Sequence, residues 1–400
     1  MRKGYSAMVP KKRNPFMKLP KKMNFMAVPK STPTTRSPMV SPTLEPTTTT
    51  TEDPSPFPTT RAPVPSDDAC PEKIASALSL DEDFDCQPTS GTCASTPDAV
   101  AEAVSRGDPI VSLCDDATFT TPLSFTMTAL SLVLCCQTQD CTIEQDGDDR
   151  NLYITVSDDE APRNLTLSGI RFRGGRRPVQ DFSATGRGGN VLIEIPEGNP
   201  DTNVLLQDCI MEGGIATDGG NLYVDNTFGQ VTLRRCTLSN GDAFFSGGGA
   251  YINAEEIILD ETSFDSNAVT GQSNSPGGGL VADYQSATIS QEILIYDSTF
   301  FQNLADGAAG MFASSFGALS TLQVVRTTFE ENRAVCAESA SCGSGFSGLG
   351  AVGMIFPTEA SQIILCENEG LGNTADSFCD GLLLTDTNPG DCLAVENNFP

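Results

Sequence analysis

Five short strings decide the fold: GGNVLIEI (188–195), GGNLYVDN (219–226), GGGAYINA (247–254), GGGLVADY (277–284) and AAGMFASS (308–315). Each is a run of small residues that opens a strand. Their third residues, Asn190, Asn221, Gly249, Gly279 and Gly310, stand 31, 28, 30 and 31 positions apart. A second string alternates with the first and ends on a large apolar anchor: NLTLSGIRF, NVLLQDCIM, QVTLRRCTL, EIILDETSF, EILIYDSTF and TLQVVRTTF. The anchors are Phe172, Met211, Leu238, Phe264, Phe300 and Phe329, and the last three are followed three places on by Asn267, Asn303 and Asn332.

A period near thirty, built from short strands and Gly-rich turns, is the mark of a solenoid. One such coil cannot bury its apolar face alone, but stacked coils can, with like positions superposed at about 4.8 Å. Helical repeats are excluded by the missing 3.6 periodicity. A propeller blade needs about 40 residues and four antiparallel strands. The unequal spacing predicts an all-β, right-handed parallel β-helix with loops of different length. Val191, Leu222, Ala250, Leu280 and Met311 then form one inward column, and Ile193, Val224, Ile252, Ala282 and Ala313 another. Ile170, Cys209, Cys236, Thr262, Ser298 and Thr327, two places before the anchors, form a third. Asn267, Asn303 and Asn332 should stack as an amide ladder.

Outward from the repeat, the chain needs its ends covered, because exposed strand edges aggregate. The string TPDAVAEAVSRG (96–107) reads as a capping helix, with Thr96 as N-cap, Pro97 at the first helical position, Gly107 as stop, and Val100, Ala103 and Val104 facing in. At the far end, Cys366, Cys379 and Cys392 suggest a disulfide-pinned cover.

The chain has 400 residues, 24 basic and 52 acidic, a net charge of −28. It has no His, which excludes Ser-His-Asp and Cys-His catalysis and His-ligated metals. The acidic body argues against nucleic acid as its partner. All 14 Cys lie from Cys70 onward, without His or paired C-x-x-C units, so disulfides and an oxidising compartment are expected. Residues 1–30 form a basic leader, expected to be disordered. It has no apolar run fit for a signal peptide, and a wrongly assigned start, an organelle-targeting segment and an anionic-surface arm stay open. Residues 31–65 hold 11 Thr, 4 Ser and 9 Pro, the composition of a linker or an O-glycosylated stalk. Residues 66–109 are assigned to a Cys-containing cap with its helix, and 110–400 to the β-helix with its Cys-rich C-terminal cap. No run of 18 apolar residues predicts a transmembrane helix.

FDSN (264–267), FFQN (300–303) and FEEN (329–332), interleaved with GGAY (248–251) and GGGL (277–280), resemble the FxxN and GGA[ILVY] repeats of chlamydial polymorphic outer-membrane proteins. The cap helix followed by coils is similar to the pectin-lyase-like superfamily. The resemblance implies a secreted or surface-exposed domain, often adhesive. This chain shows no C-terminal membrane barrel, so the chlamydial mode of display does not carry over.

Function would sit on the outward columns. Asp208, Arg235, Glu261, Asp297 and Arg326 recur three places before the anchors, with Arg234 and Asp260 one place earlier. One reading is a surface ion-pair ladder. The sharper one is a polysaccharide lyase, with Arg235 as base and Asp208 and Glu261 holding Ca²⁺. Glu194, Asp225, Asn253 and Asp283 form a column that either binds Ca²⁺ between coils or is simply solvated. Leu192, Tyr223, Tyr251, Val281 and Phe312 form an apolar stripe, either loop-covered or a platform for sugar rings. A basic island, Arg163, Arg171, Arg173, Arg176, Arg177 and Arg187, either holds an acidic polysaccharide or neutralises nearby acids. The expectation is a largely non-enzymatic secreted or cell-surface protein in adhesion or cell-wall and matrix association. Its partner would be a polysaccharide or an extracellular protein, and its only cofactor possibility Ca²⁺. The alternative is a Ca²⁺-assisted, lyase-like enzyme on the same scaffold.

Overall fold

Among the described residues the strands of the repeat pair in parallel, with register shifts only between Ala216 and Asp218 and between Asn226 and Gln230, so each coil lies on the one before it. In the computed structural model the chain is described from residue 86 to 375, apart from 89–90, 115–116, 137, 139–140, 160, 178–185, 272–274, 285–289, 316–319, 336–351, 356–361 and 367. The leader, the Thr/Ser/Pro tract and the expected C-terminal disulfide cover lie outside the described residues.

Each full coil runs through four faces. Ladder 1 begins at Ile110–Leu113 and passes through Asn164–Ser168, Asn203–Gln207 and Glu292–Tyr296 to Gln362–Cys366. Ladder 2, nine short strands from Thr118–Phe119 to Glu369–Leu371, carries the anchors. Ladder 3 has six strands, from Ile215–Asp218 to Thr374–Ala375. Ladder 4 holds the strands that follow the small-residue runs, such as Val191–Glu194, Leu280–Tyr284 and Met311–Ser315. Two long strands, Leu222–Arg234 and Ala250–Asp260, run on from ladder 4 into ladder 1 and join these faces in one 15-stranded sheet. This is the expected all-β parallel β-helix.

The columns superpose as the repeat predicts. Phe172, Met211, Leu238, Phe264, Phe300 and Phe329 are register partners in turn and are at most 1% exposed. The last three rings stack with centroids 4.9 Å apart, offering flat apolar contact along the axis. Val191, Leu222, Ala250, Leu280 and Met311 form the facing wall. Outward residues are not all exposed, however. On ladder 1, Leu205, Ile258, Leu294 and Val325 are buried although they face away from the shared interior.

A single amide ladder threads the coils, longer than the three residues the repeat suggested. Asn151, Asn190, Asn221, Asn267, Asn303 and Asn332 each donate to the side-chain oxygen of the next, at 2.6–3.3 Å, and the ladder ends on Asn373. The residue supplying the amide changes midway. Asn190 and Asn221 come from the small-residue string, whereas Asn267, Asn303 and Asn332 come from the anchor string. Glycine faces these amides from the adjacent coil, for steric reasons. A Cβ at Gly241 would lie 2.6 Å from Asn221 Nδ2, and one at Gly249 would lie 3.0 Å from Asn267 Nδ2.

The capping helix spans Pro97–Arg106. The Thr96 side chain accepts from the Ala99 amide, Gly107 stops the helix at φ 78°, and Val100, Ala103 and Val104 are buried. Three disulfides, Cys86–Cys135, Cys93–Cys114 and Cys136–Cys141, staple this end. Cys209 and Cys236, in adjacent coils, are free buried thiols, and burial pushes the Cys236 thiol well above its ordinary pKa.

Candidate functional site

The lyase candidates occupy a one-residue turn between ladders 1 and 2. Asp208, Arg235, Glu261, Asp297 and Arg326 all hold the left-handed conformation, with φ between 47° and 53°. That backbone costs an L-residue about 1 kcal/mol, and only the sharp turn demands it. Stacked one per coil, their side chains meet. Arg235 grips Asp208 through Nε and Nη2 at 2.7 and 2.8 Å, and Arg326 grips Asp297 at 2.6 and 3.0 Å. Arg234 Nε lies 3.4 Å from Asp260. The Asp208 hydrogen bond raises the Arg235 pKa, which is the wrong direction for a guanidine that must accept a proton. The geometry is that of a register-setting ion-pair column.

On ladder 4 the acidic column is hydrogen-bonded along its length. Glu194 accepts from Tyr153 OH at 2.7 Å. Asp225 accepts from Asn253 Nδ2 at 2.9 Å and Thr227 Oγ1 at 3.2 Å. Asp283 accepts from Tyr251 OH and Ser314 Oγ. Burial pushes the Asp225 carboxyl up. Among the described residues no three Cys, Asp or Glu side chains group closely enough to hold a metal ion.

The neighbouring stripe is mostly covered. Tyr223 is 4% exposed and Phe312 7%. The Tyr223 ring lies between the Arg187 guanidinium, 4.7 Å from its centroid, and the Tyr251 ring, stacked at 5.0 Å. These rings therefore offer little open face for a sugar.

The basic island is largely matched by acids. Arg163, 1% exposed, donates to the carbonyls of Thr128 and Ala129 and to Asp159. Arg173 faces its register partner Glu212 at 3.2 Å, and Arg176 lies 3.8 Å from Asp148. Arg177 holds Asp149 at 2.9 Å, but it also reaches something the sequence reading overlooked.

That feature is a pocket of 290 Å³ on the outside of ladder 4, walled by Arg150, Arg177, Asp149, Tyr153, Leu192 and Glu194. Tyr153 stands one rung before Leu192 in the stripe, so continuing that column backward through NLYITV (151–156) would have found it. Arg150, which precedes the first amide of the Asn ladder, is 5% exposed and lies 5.1 Å over the Tyr153 ring. Burial, and then the like charge of Arg177, bring the Arg150 pKa down to about 10. Burial and the bond to Glu194 push Tyr153 up to about 12. Two guanidiniums, two carboxylates and an aromatic ring thus meet in a lateral hollow of the size that small ligands occupy.

No described helix is long and apolar enough to cross a membrane. Comparison with protein-family descriptions, curated proteins and solved structures found no match.

Proposed function

We propose that this chain is a non-catalytic recognition solenoid of the extracellular space or cell surface, whose pocket at Arg150 and Arg177 binds acidic saccharide in a cell wall or matrix. The observation that carries the reading is the desolvated Arg150 beside Arg177. Two converging cations, one nearly sealed from water, gain most from a ligand that brings a carboxylate or sulfate. Asp149 and Glu194 suit the ring hydroxyls of the same sugar, and the Tyr153 and Leu192 side chains suit its apolar face. The three disulfides support an oxidising compartment. The FxxN and GGA[ILVY]-like strings support kinship with surface-exposed β-helices of the chlamydial and pectin-lyase-like kind.

One observation favours the enzymatic alternative at this place. The lowered Arg150 pKa moves a guanidine toward the proton-accepting role of a lyase, which Arg235 is poorly placed to fill.

The test is binding of polygalacturonate and alginate oligosaccharides to the full chain, against uncharged glucan oligosaccharides. Acidic ligands should bind preferentially, and Arg177→Ala should weaken them about tenfold, or ~1.4 kcal/mol. Equal binding of neutral glycans, or no effect of Arg177→Ala, would refute the proposal. Release of unsaturated sugar ends that is lost in Arg150→Lys would transfer it to the lyase reading.

A further inference from the structure

The outer face of ladder 1 is sealed from water, and the described coils do not supply the seal. Thr166, Leu205, Thr232, Ile258, Leu294 and Gln323 are register partners in turn on that face, and all are buried. A second outward column, two positions on, starts at Cys135, passes through Asp260, Tyr296 and Val325, and reaches Cys366 seven rungs later. In it Tyr296 is 1% exposed and Val325 0%. On one side of this face the turn into ladder 2 is a single residue, too short to fold back over the strands. On the other side Ser131, Asn164 and Glu292 open their strands and are exposed, so no loop from ladder 4 crosses there.

Cys86 marks where the cover begins. Its disulfide to Cys135 pins the chain onto the second column at the first coils. The residues before Cys86 lie outside the described ones, and theirs is the segment whose end is fixed on this face. Residues beyond Ala375 instead leave from ladder 3, and residues 336–351 connect ladder 3 to ladder 4. In LSLDEDFDC (78–86), Leu78, Leu80 and Phe84 stand at even intervals from Cys86, whereas Asp81, Asp83 and Asp85 stand at odd ones. An extended stretch with that alternation turns its apolar side chains to the side on which Cys86 is bonded. The reach also fits. Cys70 stands sixteen positions before Cys86. That length covers about 24 Å as helix and about 50 Å extended. The seven rungs from Cys135 to Cys366 measure about 34 Å.

We propose that residues 70–85 run as a strap along the outer face of ladder 1, from Cys86 at its first coils to its last, and that Cys70 closes the far end by bonding to Cys366. In that step the two thiols lose two protons and two electrons to a disulfide oxidant of the oxidising compartment, which leaves as a dithiol. The strap covers ladder 1 and not the Arg150–Arg177 pocket on ladder 4, so it stands or falls independently of the saccharide reading.

Disulfide mapping of the full chain, digested without reductant, tests it. A peptide joining Cys70 to Cys366 is expected. Cys70 joined to any other cysteine, or left as a thiol, would overturn the proposal. Hydrogen exchange on the full chain tests the apolar contact. Leu78→Asp/Leu80→Asp should speed exchange in Thr321–Val325 of ladder 1 at least about tenfold and leave Thr328–Glu330 of ladder 2 unchanged. Leu382→Asp/Leu383→Asp, in the tail, should change neither. Unchanged exchange in the first variant, or the same acceleration in the second, would overturn the proposal; if the first variant unfolds, the disulfide map decides.

Discussion

The first coils and the later coils are held together by different means. Among the described residues up to about 150, the solenoid carries three disulfides and no rung of the amide ladder. From Asn151 onward the amides run through the coils, the anchor rings stack from Phe264 to Phe329, and Cys209 and Cys236 stay as thiols. An interior coil has neighbours on both sides and gains from each. A terminal coil has one neighbour and needs another constraint, which a disulfide supplies chiefly by restricting the unfolded chain. Cohesion comes from side-chain stacking where stacking is available on both sides, and from covalent staples where it is not.

This contrast can be broken most sharply at Phe300, which stacks on both Phe264 and Phe329. Phe300→Ala should cost about 3–5 kcal/mol, read by urea unfolding. A loss below about 1 kcal/mol would show that the ring stack does not hold the later coils together.

Next comes the amide ladder. Asn267→Gly should cost on the order of 3 kcal/mol, because its amide serves both neighbouring coils. Gly249→Asn should also destabilise, because its Cβ meets Asn267 Nδ2 and the Gly279 carbonyl. The double variant moves the changeover by one coil and should recover more than half of the larger single loss. Additive losses would show that the changeover is fixed by the backbone.

Removing Cys93–Cys114 should cost about 2–4 kcal/mol. Hydrogen exchange should speed up in the helix and Ile110–Leu113 first, and change little in Glu292–Tyr296. Within the later coils, two sites should also respond oppositely to acid. Asp159 is held below the usual carboxylate range chiefly by its hydrogen bond to Arg163, so its contribution is lost as pH falls through that low pKa. Asp218, Asp225 and Asp242 are pushed up by burial, so theirs is full in acid and lost as pH rises through the raised pKa. As pH falls toward the ordinary aspartate range, exchange should therefore slow in the coils around Asp218–Asp242, while the Arg163 loop should be released only below that range.

The smallest effect is expected at Arg326. Arg326→Ala should cost below about 1 kcal/mol, since the pair is exposed and screened. Arg326→Gly should be closer to neutral, because glycine removes the strain of φ 48° as the ion pair is lost.

The sequence was most informative where spacing alone carries the physics. The period, the inward columns, the anchor stack and the helix cap follow from which residues recur at which interval, because stacked coils superpose equivalent positions regardless of what surrounds them. The Asp208–Arg235 and Asp297–Arg326 pairs follow for the same reason. The ladder was half legible: Asn190 and Asn221 sit in a different string from Asn267, and only coordinates show both strings meeting at one corner of the coil. Outwardness was legible, but exposure was not. Tyr223, Phe312, Leu205 and Leu294 face out and are buried, since covering depends on neighbouring chain rather than on strand period. Disulfide partners and the Arg150–Arg177 hollow were likewise decided only by tertiary structure. Arg150 and Arg177 lie 27 positions apart in the sequence, and nothing in their local strings marks them as one wall. Periodicity specifies what repeats from coil to coil, whereas a binding hollow is formed by residues that depart from the repeat, and their positions are fixed only when the coils stack.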